Sequence, residues 1–460
     1  MDHQGSFAAR LFGPADRSDP NGPVAVLAGV PRAFGAFASC ALVCAEGASQ
    51  EQRDRRASGA QERRVMRVAI VQQRLETQRG GAETSTLEMA ARLAEFDAQV
   101  TIVAADESPT DGRRTWACHS GVRVERVAVG GSTKLRRTIA YVRSVDSYCR
   151  EQRFDIVHAI VPCFSANVYQ PRSGLYPESL TQSTAMISPA PLRVARRWLR
   201  RFNYRQRFLM LVERAMLSDA HPPWVAAVSR YIHEQLARWF PAYPLERAPL
   251  ILNGVEIDAG DVAQRAAWRR AVRAELKIAD DAPLALFVGH NFKLKGLGEL
   301  IDAIAARRAA AQRAWTLAVV GRGDPRPWRA KARRRGVTEA VRFLGARDDV
   351  RPMYAAADVL AHPTWFDPCS RVVLEALACG LPVVTTRFNG AADAIDDGKT
   401  GFVIDSPANI EALADAMRAA LAPDVRETLA AKVEQIRERV SMRRHARELR
   451  ALYERVLAEP

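Results

Sequence analysis

No stretch of this 460-residue sequence approaches the roughly 18 consecutive apolar residues that a membrane-spanning helix needs. The chain is therefore expected to be soluble, or at most peripheral to a membrane. No two of its seven cysteines stand in C-x-x-C spacing, and none clusters with histidines. Cys40, Cys44, Cys118, Cys149, Cys163, Cys369 and Cys379 are scattered and odd in number. They read as free thiols in a reducing compartment, not as a disulfide framework or metal site. No D-x-D triad closes a strand and the histidines form no cluster, so no catalytic metal is expected. Acidic residues are also scarce: 52 Asp and Glu stand against 67 Lys and Arg, a formal net charge of +15. That excess points to an anionic partner, whether nucleic acid, a phosphorylated substrate or an anionic membrane surface, and does not choose among them.

The length argues for two domains or more, since one core rarely grows past about 250–300 residues. A hydrophobic fraction of 48% allows two sizeable cores. Residues 1–65 are unlike the rest. MDHQGSFAARLFGPADRSDPNGP is turn-rich, and EGASQEQRDRRASGAQERRV is charged and poor in apolar residues, as expected of disorder. Between them, VAVLAGVPRAFGAFASCALVCA could pass for a signal sequence, but Pro31-Arg32 interrupts it and it begins far from the amino terminus. Met66 opens MRVAIVQQ as a fresh domain start, so residues 1–65 are expected to be a dispensable extension, or the result of a misassigned upstream start codon.

From Met66 onward, strand and helix patterns alternate. Strand runs at 65–73, 98–106, 122–129 and 154–161 flank the helical TSTLEMAARLAEF and TIAYVRSVDSYCREQ. The pattern restarts after LILNGVEID (250–258), with strands at 282–290, 315–323, 341–345 and 358–364, and PVVTT as the last. Such alternation predicts an α/β chain with two doubly wound parallel-sheet domains, 66–250 and 251–439. Such sheets bind ligands at the carboxyl ends of their strands, and two facing each other enclose a cleft suited to a small molecule.

Three stretches carry chemistry. Gly80-Gly81, between the first strand and its helix, lets backbone N–H groups approach a ligand; taken alone it reads equally as a glycine turn. FVGHNFKLKG places Gly289, His290, Lys293 and Lys295 on a loop after a strand, where lysines can neutralise a diphosphate or simply be exposed. FDPCSRVVLEALACGLPVVTT (366–386) sets Asp367 on a turn and Glu375 just over one turn into a helix that Ser370 can cap and Gly380 with Pro382 can end. Glu375 alone would read as a solvated helix glutamate. Its apolar neighbours place the helix in a core, and a buried glutamate needs partners. Two acceptor-only carboxylates beside a row of amide donors suit the hydroxyls and phosphates of a nucleotide sugar. A carboxylate pair also suits glycoside hydrolysis, but the surrounding phosphate-type loops favour a nucleotide leaving group.

This last stretch resembles the paired-acid motif of family-4 retaining glycosyltransferases of the GT-B fold, with Asp367 and Glu375 at the two acidic positions. GGAE (80–83), AVSRYI (227–232), ILNGVEID (251–258), VGHNFKLKG (288–296) and VVGRGD (319–324) extend the match over about residues 66–440. Within the family, ADVLAHPT and NVYQPRSG resemble the lipopolysaccharide core glucosyltransferase I group. The resemblance implies two Rossmann-like domains: 66–250 for the acceptor, with helix 440–458 packing back on it, and 251–439 for the nucleotide sugar. It implies that Glu375 holds ribose hydroxyls, Asp367 the donor-sugar hydroxyls, and Lys295 the leaving diphosphate. The backbone around Cys369, Ser370, Arg371 and Val372 would lie near sugar and diphosphate, with Gly80 and Gly81 closing over from the other domain. His290 stands where an arginine is common, so Lys293 is expected to supply that charge. The first acid is an aspartate where glutamate is usual, which bears on sugar selection. Arg172 falls where many members carry a histidine near the reaction centre, and is a candidate acceptor-side residue.

The implied reaction is transfer of a hexose, most simply glucose from a UDP-linked donor, to a hydroxyl of a cell-envelope glycolipid or polysaccharide precursor. Anomeric configuration would be retained and no cofactor needed. RVARRWLRRFNYRQRF (193–208) has seven arginines, no acid and interleaved aromatics, which suits an anionic membrane face or acidic glycolipid. No nucleic-acid motif accompanies it. A cytoplasmic protein, touching the inner membrane face at most, is expected. The rivals are a nucleotide-sugar 2-epimerase on the same fold and a non-catalytic basic glycan- or lipid-binding protein.

Overall fold

The computed structural model describes residues 65–75, 81–106, 121–187, 191, 203–309 and 315–459, and residues 66–460 form one compact unit. Of the expected extension only Val65 is described. Most of the basic stretch and Gly80 also lie outside the described residues.

The first half runs β1 (Met66–Val71), α1 (Gly81–Ala94), β2 (Ala98–Asp106), β3 (Val122–Ala128), α2 (Lys134–Gln152), β4 (Ile156–Ala159), β5 (Val168–Tyr169), α3 (Tyr176–Ala185), α4 (Tyr204–Leu217), β6 (Trp224–Val225) and α5 (Arg230–Trp239). The second half opens with α6 (Val262–Leu276), β7 (Leu284–Val288), α7 (Leu297–Ala309), β8 (Thr316–Val320), α8 (Arg326–Arg334) and β9 (Val341–Gly345). It continues through α9 (Arg351–Ala356), β10 (Val359–His362), α10 (Arg371–Ala378), β11 (Val383–Thr386), β12 (Gly401–Ile404), α11 (Ile410–Ala419), α12 (Pro423–Val440) and α13 (Met442–Ala458).

Two six-stranded sheets result, ordered β3-β2-β1-β4-β5-β6 and β12-β11-β10-β7-β8-β9, with every strand pair parallel. Counted from its own first strand, each sheet has the same doubly wound order, with its switch point between the first and fourth strands. The inner strands are buried along their length: β4, β7, β10 and β11 have no residue outside the core. Helices on both faces explain the unbroken apolar runs, which would alternate if one face met water.

The halves are tied where the chain crosses between them. Val255 N–H donates to Val440 O (2.9 Å) and Met442 N–H to Val255 O (3.0 Å). A side chain at Gly254 would put its Cβ 2.7 Å from Met442 Cα, so only glycine lets the two segments meet. Beyond the crossing, α13 lies on the first sheet's helical layer. Met442, Ala446, Leu449, Leu452 and Tyr453 join Val68, Ile70, Met89 and Leu93 in one core, and Tyr453 Oη lies 2.7 Å from His158 Nδ1. No helix among the described residues is long and apolar enough to cross a membrane.

One buried carboxyl in the first half sets a pH dependence. Glu213 accepts from Tyr169 Oη (2.7 Å) and from Tyr176 N–H (2.9 Å), and burial pushes its pKa up to about 8 against those bonds. An acid with a raised folded-state pKa binds more protons folded than unfolded, so stability falls as pH rises from about 4.5 to about 8. Glu213→Gln, which keeps the neutral form, is expected to flatten that slope and raise the thermal midpoint at pH 8. Parallel slopes for both proteins across pH 5–8 would contradict it.

Candidate active site

Lys295 and Asp367 come from the loops that follow β7 and β10, the two strands flanking the second sheet's switch point. The loops are fastened together: Trp365 N–H donates to Leu294 O (2.9 Å) and Thr364 Oγ1 to the same oxygen (3.1 Å). Gly296 has φ of +79°, and a Cβ there would fall 2.0 Å from Pro363 O. Lys295 Nζ is thereby brought 2.5 Å from Asp367 Oδ2, with both side chains mostly enclosed.

The turn carrying Asp367 is held on several sides. Its own N–H donates to Phe388 O (2.9 Å) and its carbonyl accepts from Gly390 N–H (2.9 Å). Asn389, fully buried, accepts at Oδ1 from the N–H groups of Ser370 and Ala391, 3.1 Å each, and donates from Nδ2 to Thr385 Oγ1 (2.9 Å). The first half contributes Ser229 Oγ, donating to Pro368 O (2.7 Å), and Asn253 Nδ2, donating to Cys369 O (3.4 Å).

Ser370 occupies the N-cap position of α10, as its spacing predicts, but it does not cap the helix with its side chain. Its hydroxyl lies 3.4 Å from His362 Nε2 instead. The Cys369 N–H is taken by Asp367 Oδ1 (3.2 Å) and the Ser370 N–H by Asn389. Of the four residues expected to offer amides, Arg371 and Val372, in the first turn where N–H groups have no intrahelical partner, are those left to meet an anion. His362 is buried under the site, 3.9 Å from Asp367 Oδ2. Burial, and then Lys295, lower its pKa to about 3, so the imidazole is neutral and leaves the Lys295–Asp367 pair electrically balanced.

Glu375 has the partners its apolar surroundings require. Tyr354 Oη donates to Oε2 (2.9 Å) and Arg371 Nη2 to Oε1 (3.3 Å). Arg371 also reaches across the cleft to Glu88 on α1, with Nη1 and Nη2 at 2.6 and 3.1 Å from its two carboxylate oxygens. Gly81, the first residue of α1, lies against it: a Cβ there would be 3.4 Å from Arg371 Cδ. The expected glycine turn is thus in part the opening of a helix that begins at 81, three residues earlier than the apolar pattern predicts.

The remaining sequence-predicted residues have clear positions. Gly289 ends the β7 run, with a would-be Cβ 3.4 Å from Lys295 Cγ. His290 and Lys293 are exposed on the loop; partial burial, then Arg322, lower the His290 pKa. Arg172 sits between the first sheet, α1 and α13. It donates to Gln170 Oε1 (2.7 Å) and Ser85 Oγ (2.7 Å), and touches Met89 Sδ (3.1 Å) and His445 Nε2 (3.4 Å). Burial, and then the Arg371 charge across the cleft, bring its pKa down to about 10. Among the described residues no group of acids, histidines and cysteines could hold a metal ion, and Cys149, Cys163, Cys369 and Cys379 are free thiols.

Glu88, Tyr354, His362 and Asn389 escaped the sequence reading. Glu88 interrupts an apolar run, a usable signal of a buried partner; His362 ends the strand that leads into the turn, and Tyr354 and Asn389 lie 21 and 19 residues from the groups they bond, with no pattern that marks them. Gly296→Ala tests how tightly the two loops are locked: backbone strain alone is expected to cost roughly 1–3 kcal/mol, read as a lowered midpoint in urea unfolding. An unchanged midpoint would mean that the loops yield easily.

Two family models match the chain, "Glycosyltransferase Family 4" over residues 79–259 and "Glycosyl transferases group 1" over residues 282–423. The lipopolysaccharide glucosyltransferase WaaG of Escherichia coli is 28% identical over 304 residues, 66% of this chain and 78% of that protein. A crystal structure of WaaG superposes with a TM-score of 0.65 at 25% identity, over 85% of this chain and 98% of that one. A D-inositol 3-phosphate glycosyltransferase of Saccharomonospora viridis is 33% identical over 49% of this chain and 54% of its own length. The lipopolysaccharide core biosynthesis glycosyltransferase LpsE of Rhizobium meliloti is 38% identical over 29% of this chain and 38% of its own. With both halves matched and the two parallel sheets in place, the chain belongs to the family-4 glycosyltransferases and has their GT-B fold.

Proposed function

We propose that this glycosyltransferase moves glucose from UDP-glucose to a hydroxyl of a cell-envelope glycolipid or polysaccharide precursor of the lipopolysaccharide-core type, with retention of configuration. The observation that carries the reading is the meeting of Lys295, Asp367 and the uncapped amino end of α10 at one switch point, with Glu375 a turn deeper. The acceptor class is supported by the names of the Escherichia coli and Rhizobium meliloti relatives, both assigned to lipopolysaccharide synthesis.

In this reading residues 251–439 hold the donor, while 66–250 and helix 440–458 hold the acceptor. The diphosphate takes Lys295 and the Arg371 and Val372 amides, beside Gly289, His290 and Lys293, with the Gly80-Gly81 segment covering it. Asp367, freed from Lys295, accepts from the sugar hydroxyls, and Glu375 accepts from the ribose. Neither acid moves a proton. Charge growing on the leaving diphosphate is met by Lys295 and the helix dipole, and the departing phosphate oxygen takes the acceptor proton. Arg172 faces the acceptor side. The cleft closes to keep water from the donor. The 193–208 stretch rests on the anionic inner face of the cytoplasmic membrane.

Mixing the protein with UDP-glucose, other nucleotide sugars and lipid acceptors tests the proposal. Nucleotide release that depends on an acceptor supports it; sugar isomerisation without acceptor, or no turnover with any donor, contradicts it. Glu375→Ala is expected to weaken UDP-glucose binding about 10- to 100-fold, as for losing hydrogen bonds to a charged group, with the fold retained but the thermal midpoint lowered, because the buried Tyr354 hydroxyl loses its acceptor. Unaltered donor affinity would remove Glu375 from the site.

A further inference from the structure

A second cavity, of about 500 Å³, lies in the second half away from the cleft, lined by Arg265, Arg269, Tyr354, Asp358, Cys379 and Arg426. Ala357 and Asp358 precede β10, and Leu381 and Pro382 precede β11, so the cavity opens at the amino ends of these strands. The candidate active site is at their carboxyl ends.

Its charge is unbalanced. The Asp358 carboxylate is shared by Arg269 (3.0 Å), Arg273 (3.5 Å) and Arg426 (3.5 Å), and its Oδ2 also accepts from Leu284 N–H (2.8 Å). Arg265, one helical turn before Arg269 on α6, has no carboxylate within ion-pair distance among the described residues. Asp280 adds a weaker favourable influence on Arg273. Two of the four guanidiniums serve the fold. Arg269 donates to Ala356 O (2.8 Å), and Arg273, buried, to Ala356 O (3.0 Å) and Ala279 O (2.8 Å). Among the described residues neither Arg265 on α6 nor Arg426 on α12 bonds a backbone carbonyl through its side chain, and Arg426 keeps its ion pair with Asp358 (3.5 Å). Leu381, Pro382 and Val433 give the cavity apolar wall.

Arginines lining one cavity favour an oxyanion that a guanidinium can fork, and about 500 Å³, open to solvent, has room for a small ester. We propose that this cavity binds a phosphomonoester, with Arg265 and Arg426 on the phosphate and the apolar wall against its carbon body. The group is supplied either by a small soluble phosphate ester or by a lipid headgroup. The site does not depend on the roles proposed for the cleft, but it shares a residue with it: Tyr354 lines the cavity, and its hydroxyl holds Glu375.

Calorimetric titration of the full chain with glycerol 3-phosphate, in saturating UDP to block the cleft, tests the soluble source. Flotation with phosphatidylcholine vesicles containing phosphatidic acid tests the lipid one. Binding in either arm that falls at least ten-fold in the Arg265→Gln/Arg426→Gln double variant, and likewise in Val433→Trp, which fills the cavity, supports the proposal and names the source. Absence of binding in both arms, affinity unchanged by both variants, or binding seen only without UDP would overturn it. Acceptor-dependent nucleotide release, measured without either probe, reports separately on the cleft.

Discussion

The turn at residues 367–370 is the constraint on which the site depends, because both halves of the molecule hold it. Ser229 and Asn253 fix the carbonyls of Pro368 and Cys369 from one side, while Asn389 and the 388–390 backbone fix its amides and Asp367 from the other. A buried polar backbone demands such partners. With the turn fixed, α10 can leave in only one direction, its amino end beside Lys295 and Glu375 between Tyr354 and Arg371. The Cys369 sulphur is buried in the core that runs from the first sheet into the second, so the turn is packed as well as hydrogen-bonded.

The same arrangement ties the cleft to the junction of the halves. Arg371 follows the turn directly and bridges to Glu88 on α1, and α1 itself is packed under α13. One guanidinium therefore connects the helix carrying Glu375 to the helix that opens the other wall. The chain crossing at Gly254 and Met442 supplies a second, covalently continuous link.

Both sheets were legible in the sequence because parallel strands buried on two faces appear as apolar runs, as in VAIV (68–71) and LALFV (284–288). β5 and β6, of two residues each, lack the length to stand out; pairing to neighbours makes them strands. The long α12 went unread because its few apolar positions are spread among charges. In the site, Lys295, Asp367 and Glu375 could be picked out from the motif they form, and they do converge. What could not be read was who holds them. Whether Ser370 caps a helix or turns to His362 depends on a ring at the end of β10, which only the folded turn brings against the hydroxyl. Arg371 was named for its amide, while its side chain bridges two acids, one of them 283 residues away.

The Lys295–Asp367 pair, with neutral His362 beneath it, leaves the cleft charge-balanced at that point when no donor is bound. Under the roles proposed above, that balance works as a filter. A free phosphate could draw Lys295 away only by leaving Asp367 enclosed without a counter-charge, and a free sugar could engage Asp367 only by leaving Lys295 in the same position. A molecule carrying a diphosphate and a hydroxylated ring at the right separation satisfies both ends together. Fragments of the donor should therefore bind more weakly than their separate contacts suggest, and the spent nucleotide should leave as Lys295 returns to its carboxylate.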